Sequence, residues 1–228
     1  MKRHHSAPVL AIGALLFLSL AIWSYIFAPG PLPATLSVQD IEPQWFADAL
    51  KVEQTSTDKV AALFAALPPD AALPARTKTS GCIINGSYPD TACTPGEVFK
   101  DAATSTICVS GYTKTVRSVS TKLRQQIYRA YDIAYPPPTG TYELDHFIPL
   151  ALAGDNSAAN LFPEAAAPKP GFREKDVVEV YLYEEVCKGH IDLQQAQVQI
   201  ATDWLAVYNA LQPADIARLK QKYSSWSN

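Results

Sequence analysis

Histidine is scarce in this chain. Of the four present, His4 and His5 lie at the extreme N-terminus, so only His146 and His190 are left for chemistry in the body of the protein. Cysteine is limited to four residues, Cys82, Cys93, Cys108 and Cys187, and none forms a C-x2-C pair. Structural zinc usually draws on such closely spaced ligands, so the cysteines do not favour it. Charged residues make up only 18% and the net charge is −3. That argues against a protein that coats itself in nucleic acid, but not against a local basic groove, because binding follows the distribution of charge. No internal repeats are present. With 228 residues and 48% apolar content, the chain can bury the core of one good domain and still carry an appendage.

Charge is absent altogether between Ala7 and Ala28, just after the basic stretch Lys2-Arg3-His4-His5. That length matches the ~20 apolar residues a helix needs to span a bilayer. It exceeds the ~7–15 of a signal-peptide core, and no good small-x-small cleavage site lies directly before Pro29-Gly30-Pro31. Residues 1–28 are therefore expected to be an N-terminal anchor, with a cleaved signal as the alternative. The basic end stays in the cytoplasm, so either way the remainder is exported. The expected location is a bacterial inner membrane with the domain facing outward, or secretion if the segment is removed.

An even number of cysteines in an exported chain reads as two disulfides. Three pairings are possible. The expected one is Cys82–Cys93, closing a short loop, with Cys108–Cys187 tying an upstream segment to a later helix.

Residues 29–80 read as a linker with short helices. Four prolines stiffen 29–43, and Ser56-Thr57-Asp58 caps a helix carrying Val60, Leu63, Phe64 and Leu67 that ends at Pro68-Pro69. The folded domain is expected over 81–228. Ile107-Cys108-Val109 reads as a short strand. Acidic residues are missing again from Gly111 to Ala130, where Lys114, Arg117, Lys122, Arg124 and Arg129 alternate with Tyr112 and Tyr128. Cations of this kind neutralise backbone phosphates without reading sequence. A solvated helix face is the plainer alternative. Ser120 caps a helix from Lys122 to Tyr131. Later helices are expected over Arg173–Lys188, stopped by Gly189, after Asp192 with Gln195 completing a capping box, and around Asp215–Tyr223.

The chemistry gathers in Tyr142-Glu143-Leu144-Asp145-His146-Phe147-Ile148-Pro149-Leu150. An acid and a histidine sit side by side in a strand-like run, followed by the turn Gly154-Asp155-Asn156 and by Asn160-Leu161-Phe162-Pro163. Histidine has an unperturbed pKa of ~6.5, which provides a neutral base at working pH. Aspartate is a hard oxygen ligand. Neighbours on a strand point to opposite faces, so the pair can serve one phosphate only where the strand ends or bends.

This ordered set resembles the core of the HNH endonuclease superfamily, in particular a group of exported bacterial HNH-like proteins. The likeness extends to Cys93-Thr94-Pro95-Gly96, Ile107–Thr113, Lys175-Asp176, Cys187 and Ala201-Thr202-Asp203-Trp204. It implies an α+β fold: a ββα-metal core with additional packing helices, here braced by disulfides. It implies a metal-dependent endonuclease, cutting DNA (or RNA) to 5′-phosphate ends, with His146 as general base and Asp145 as metal ligand. Asn160 either braces the loop or supplies a metal oxygen. Where many relatives carry a third ligand, a helical histidine, this chain has Gly171-Phe172-Arg173-Glu174-Lys175-Asp176. Glu174 or Asp176 can stand in as an oxygen ligand, as can Glu143, and Arg173 or Lys175 can meet the phosphate. An all-oxygen site favours Mg²⁺ or Mn²⁺. The missing histidine keeps two alternatives open: a non-catalytic nucleic-acid-binding module on a degenerate HNH fold, and an envelope interaction protein.

Overall fold

Helix caps and turns written into the sequence set most of the element boundaries. A computed structural model describes residues 56–222. The expected anchor and the first part of the expected linker lie outside the described residues, all of which belong to the second of two units, Ala47–Asn228. Among the described residues no helix is long and apolar enough to cross a membrane.

The described residues begin with α1 (56–65) and an extended, proline-containing passage. Then come α2 (Thr104–Ile107), α3 (Tyr112–Val116), α4 (Thr121–Ala130), β1 (Tyr142–His146), β2 (Leu161–Ala165), α5 (Phe172–Cys187), α6 (Leu193–Ala210) and α7 (Pro213–Lys222). The fold is α+β: helices around one two-stranded antiparallel sheet.

Local chemistry explains the starts of α4 and α6. Ser120 accepts from the Leu123 N–H at 3.2 Å and Asp192 from that of Gln195 at 3.1 Å, as expected of N-caps. Gly189, at φ +76°, follows α5 in the left-handed region that glycine reaches without strain. α6 bends at Asp203, whose φ and ψ of −156° and 76° are not helical. There the Asp203 carboxylate accepts from the Ala206 N–H at 2.9 Å and so caps a second helical segment. The Tyr88 hydroxyl donates to the same carboxylate at 2.8 Å, which holds the loop closed by Cys82–Cys93 against the bend.

Both disulfides have the expected connectivity, Cys82–Cys93 and Cys108–Cys187. The strand expected at 107–109 is not there. Ile107 ends α2 with its side chain buried and Val109 is exposed. Three β-branched or small residues in a row do not specify a strand without a neighbour to pair with.

The core lies between the sheet and α5–α6. It includes Phe147, Phe162, Val178, Leu182, Ile200 and Trp204, all essentially inaccessible. Phe147 and Phe162 meet edge to face at 5.7 Å, a geometry worth ~0.5–1.5 kcal/mol beyond burial. α1 adds Val60 and Phe64 to the same core, and the Ser56 hydroxyl donates to Asp215 at 2.6 Å. The described part of the expected linker therefore packs as part of the folded body.

Candidate active site

β1 and β2 pair so that Glu143 lies opposite Glu164, Asp145 opposite Phe162 and His146 opposite Leu161. Directly opposed residues share a face. One face of the ribbon thus carries Glu143, Asp145 and Glu164, and α5 covers it. His146 is the last residue of β1, where the strand ends and the connection to β2 begins.

Asn160 holds that connection in shape. Its Oδ1 accepts from the Ile148 N–H at 2.8 Å, and its Nδ2 donates to the carbonyls of Ile148 and Asp155 at 2.9 Å each. Gly154 is obligatory there. A Cβ at that position would stand 1.7 Å from the Ile148 oxygen and 2.7 Å from Asn160 Nδ2. Of the two roles open to Asn160 in the sequence, the amide bonds match the brace. Its oxygen is used by the backbone, and the residue is completely buried.

His146 is oriented by a residue that the sequence offers only as part of a turn. Asn156 Oδ1 lies 3.2 Å from His146 Nε2 and also accepts from the Ser118 N–H at 3.1 Å, while its Nδ2 donates to the Val116 carbonyl at 2.8 Å. The two backbone bonds fix which end of the amide is oxygen. Nε2 must therefore be the protonated nitrogen, and the lone pair sits on Nδ1. Nδ1 has no hydrogen-bond partner among the described residues, and the residue as a whole is buried, at 3% exposure. Burial lowers the His146 pKa, with Arg117 and Lys175 adding to the effect against the opposing pull of Asp145 and Asn156. The ring is a neutral base at neutral pH.

The same Asn156 bonds pin residues 116–118, so Arg117 projects from a bend fastened beside the histidine. Lys114, Arg117, Lys122 and Arg129 are exposed and Arg124 is half-buried. None of the five has an acidic ion-pair partner among the described residues. The basic stretch is thus uncommitted and leads up to His146.

Lys175 overturns an expectation. Expected at the nucleic-acid face, its side chain is instead 0% exposed. On α5 it shares a stripe with Val178 and Leu182 at i, i+3 and i+7, all of them fully buried. Its three N–H groups are all taken. They reach Asp145 Oδ2 at 2.8 Å, the His146 carbonyl at 2.9 Å and the Glu179 carboxylate, with Glu164 Oε2 at 3.6 Å. Glu164 is itself fully buried, and neither carboxyl oxygen has a hydrogen-bond partner if the group is ionised. Burial pushes the Glu164 pKa well up. Protonated, it donates to Asp145, which removes the apparent orphan. Burial works against ionised Asp145, but Lys175 and that proton outweigh it and hold the group at about 2.

Around this ammonium the remaining carboxyls crowd. Burial and the charge of Asp145 raise Glu143 to about 7 and Asp176 to about 6. Burial, only partly offset by Lys175, raises Glu179 to about 8. Glu164, Glu179 and Asn156 are site residues that the sequence does not single out. Glu164 carries one signal, an acid directly across from Glu143 in a hairpin. Glu179 carries another, four residues after Lys175 on a helix.

The oxygen set expected to hold Mg²⁺ or Mn²⁺ is not brought together. Asn160 is spent on the loop, and Glu174 accepts from the Gly171 N–H at 3.0 Å as a helix cap. Asp145 gives one oxygen to Lys175. Among the described residues no three His, Cys, Asp or Glu side chains form a metal-holding group. His190 is remote from this centre, paired through Nδ1 with Glu185 at 2.8 Å beyond the end of α5. No family model matches the sequence, and no match was found among curated proteins or solved structures.

Proposed function

We propose that the chain is an exported nuclease hydrolysing phosphodiester bonds of DNA, with His146 as the general base. The observation that carries this reading is the His146 ring. Asn156 fixes it in one tautomer, its Nδ1 has no partner among the described residues, burial favours its neutral form, and the Arg117 charge lies near enough to act on it. In the step, a water gives its proton to Nδ1 and its oxygen attacks phosphorus. The P–O3′ bond breaks, and the departing 3′ oxygen takes a proton from solvent. Arg117 stands where it can stabilise charge on the phosphoryl oxygens. The Lys114–Arg129 stretch holds the backbone by charge alone, so little sequence preference is expected. The divalent cation implied by the HNH resemblance is not part of this step, because its expected ligands are engaged elsewhere.

The test is nicking of supercoiled plasmid by the oxidised full-length chain and by His146→Ala, with melting temperature as the control for folding. Cleavage lost in a variant that still folds supports the reading. Equal cleavage by both would sink it.

A nucleic-acid-binding module without catalysis is the second reading, and the buried position of Lys175 favours it. It predicts salt-dependent DNA binding that Arg117→Ala weakens, with no cleavage in any metal or in chelator.

A further inference from the structure

We propose that Lys175 is the resident cation of this site, so that the site neither takes up nor requires a divalent metal. The consequence for catalysis rests on the nuclease reading; the binding claim and its test do not.

The geometry points to a cation position already filled. Asp145 comes from β1, Glu164 from β2 and Glu179 from α5, and all converge on one Nζ. That atom also takes the His146 carbonyl at 2.9 Å. Carboxyl groups on separate elements plus a backbone carbonyl make a ring of oxygens, the atom type a hard cation takes. Here an ammonium sits at its centre with every N–H satisfied. A divalent ion cannot share that centre with Nζ, since the two would repel at contact distance in a site without solvent. Glu164, fully buried on β2, adds a third element to the ring, with Oε2 at 3.6 Å from Nζ and its proton directed to Asp145. Because Lys175 is sealed from solvent, it touches no substrate. It acts as a positioning residue, holding Asp145 ionised and the His146 carbonyl fixed, which sets the end of β1 from which the imidazole projects.

The experiment is Mn²⁺ uptake by the full-length chain, read from the loss of the free-Mn²⁺ paramagnetic resonance signal and from melting temperature. Wild type, Lys175→Met and Asp145→Asn are compared. Wild type should show no saturable uptake into the millimolar range and no metal-dependent shift in melting. Lys175→Met vacates the centre and should take up Mn²⁺ saturably, with melting raised by the metal. If that variant folds only with Mn²⁺ present, the proposal is equally supported. Saturable uptake by wild type that Asp145→Asn abolishes would overturn it. A folded Lys175→Met that takes up no Mn²⁺ would overturn it too. The wild-type arm decides the matter even if the variant does not fold, and no arm depends on DNA cleavage.

Discussion

Asn160→Ala removes a group whose whole value is in the loop between β1 and β2. Three bonds disappear, to the Ile148 N–H at 2.8 Å and to the Ile148 and Asp155 carbonyls at 2.9 Å each. The buried N–H is the most expensive to orphan, and a stranded partner costs ~1–3 kcal/mol. With the carbonyls at the low end of that range, the expected loss is about 3–5 kcal/mol. That is a large share of the ~5–15 kcal/mol available to a typical domain. In urea, with a slope of ~1–3 kcal/mol/M, the midpoint should fall by about 2 M. The assay is equilibrium urea unfolding of the oxidised chain in chelator, followed by tryptophan fluorescence. Gly154→Ala provides an independent arm, because its Cβ would collide with the same Ile148 oxygen at 1.7 Å. A midpoint shift under about 0.5 M for Asn160→Ala would refute the bracing role. So would a loss of stability seen only when Mg²⁺ or Mn²⁺ is present, which would make the residue a metal ligand.

Other expectations follow from the same geometry. Replacing Cys108 and Cys187 by serine opens a loop of 79 residues and should cost about 4.5 kcal/mol on the loop-entropy scale, against about 2.8 kcal/mol for the 11-residue Cys82–Cys93 loop. Unfolding of the two serine double variants checks this, and the reverse order would contradict it. Glu179 is raised to about 8 in the folded chain. The unfolded chain releases that proton at lower pH, so the group's stabilising contribution is lost as pH rises from about 4.5 through 8. Glu179→Gln should accordingly gain stability relative to wild type across that window, and a constant difference would count against the burial argument. Arg117→Ala should leave melting unchanged while weakening DNA binding, and the salt slope should fall by about 0.9 for each phosphate that Arg117 neutralises. An unaltered slope would remove Arg117 from the phosphate track.

What could be read from the sequence was local. Ser120, Asp192 and Gly189 act within one helical turn, and each falls where its chemistry requires. The hairpin, the Gly154 turn and the presence of two disulfides were also legible, whereas cysteine count and export leave three pairings open. The site was legible only in outline. Asp145 and His146 lie at the end of β1 as expected, but their partners come from distant parts of the chain. Asn156 links His146 to Val116 and Ser118, and nothing in Gly154-Asp155-Asn156 announces more than a turn. Lys175 reads as a cation facing the phosphate because lysine is rarely buried unless paired. Its charge is compensated chiefly by Asp145, outside its own helix, a contact that its helical neighbours do not announce. The stripe it shares with Val178 and Leu182 is the sign the sequence carries, outweighed by the cost normally attached to a buried charge.

The most direct test of the central claim is the pH–rate profile of DNA cleavage by the oxidised full-length chain in chelator, beside His146→Ala. Burial lowers the pKa of His146, so the base stays available below the ordinary imidazole value of ~6.5. With His146 as the base, cleavage is expected without added metal, with an acid limb lying below pH ~6.5 and loss of activity in the folded variant. No cleavage until Mg²⁺ or Mn²⁺ is supplied, or a profile that His146→Ala leaves unchanged, would contradict it.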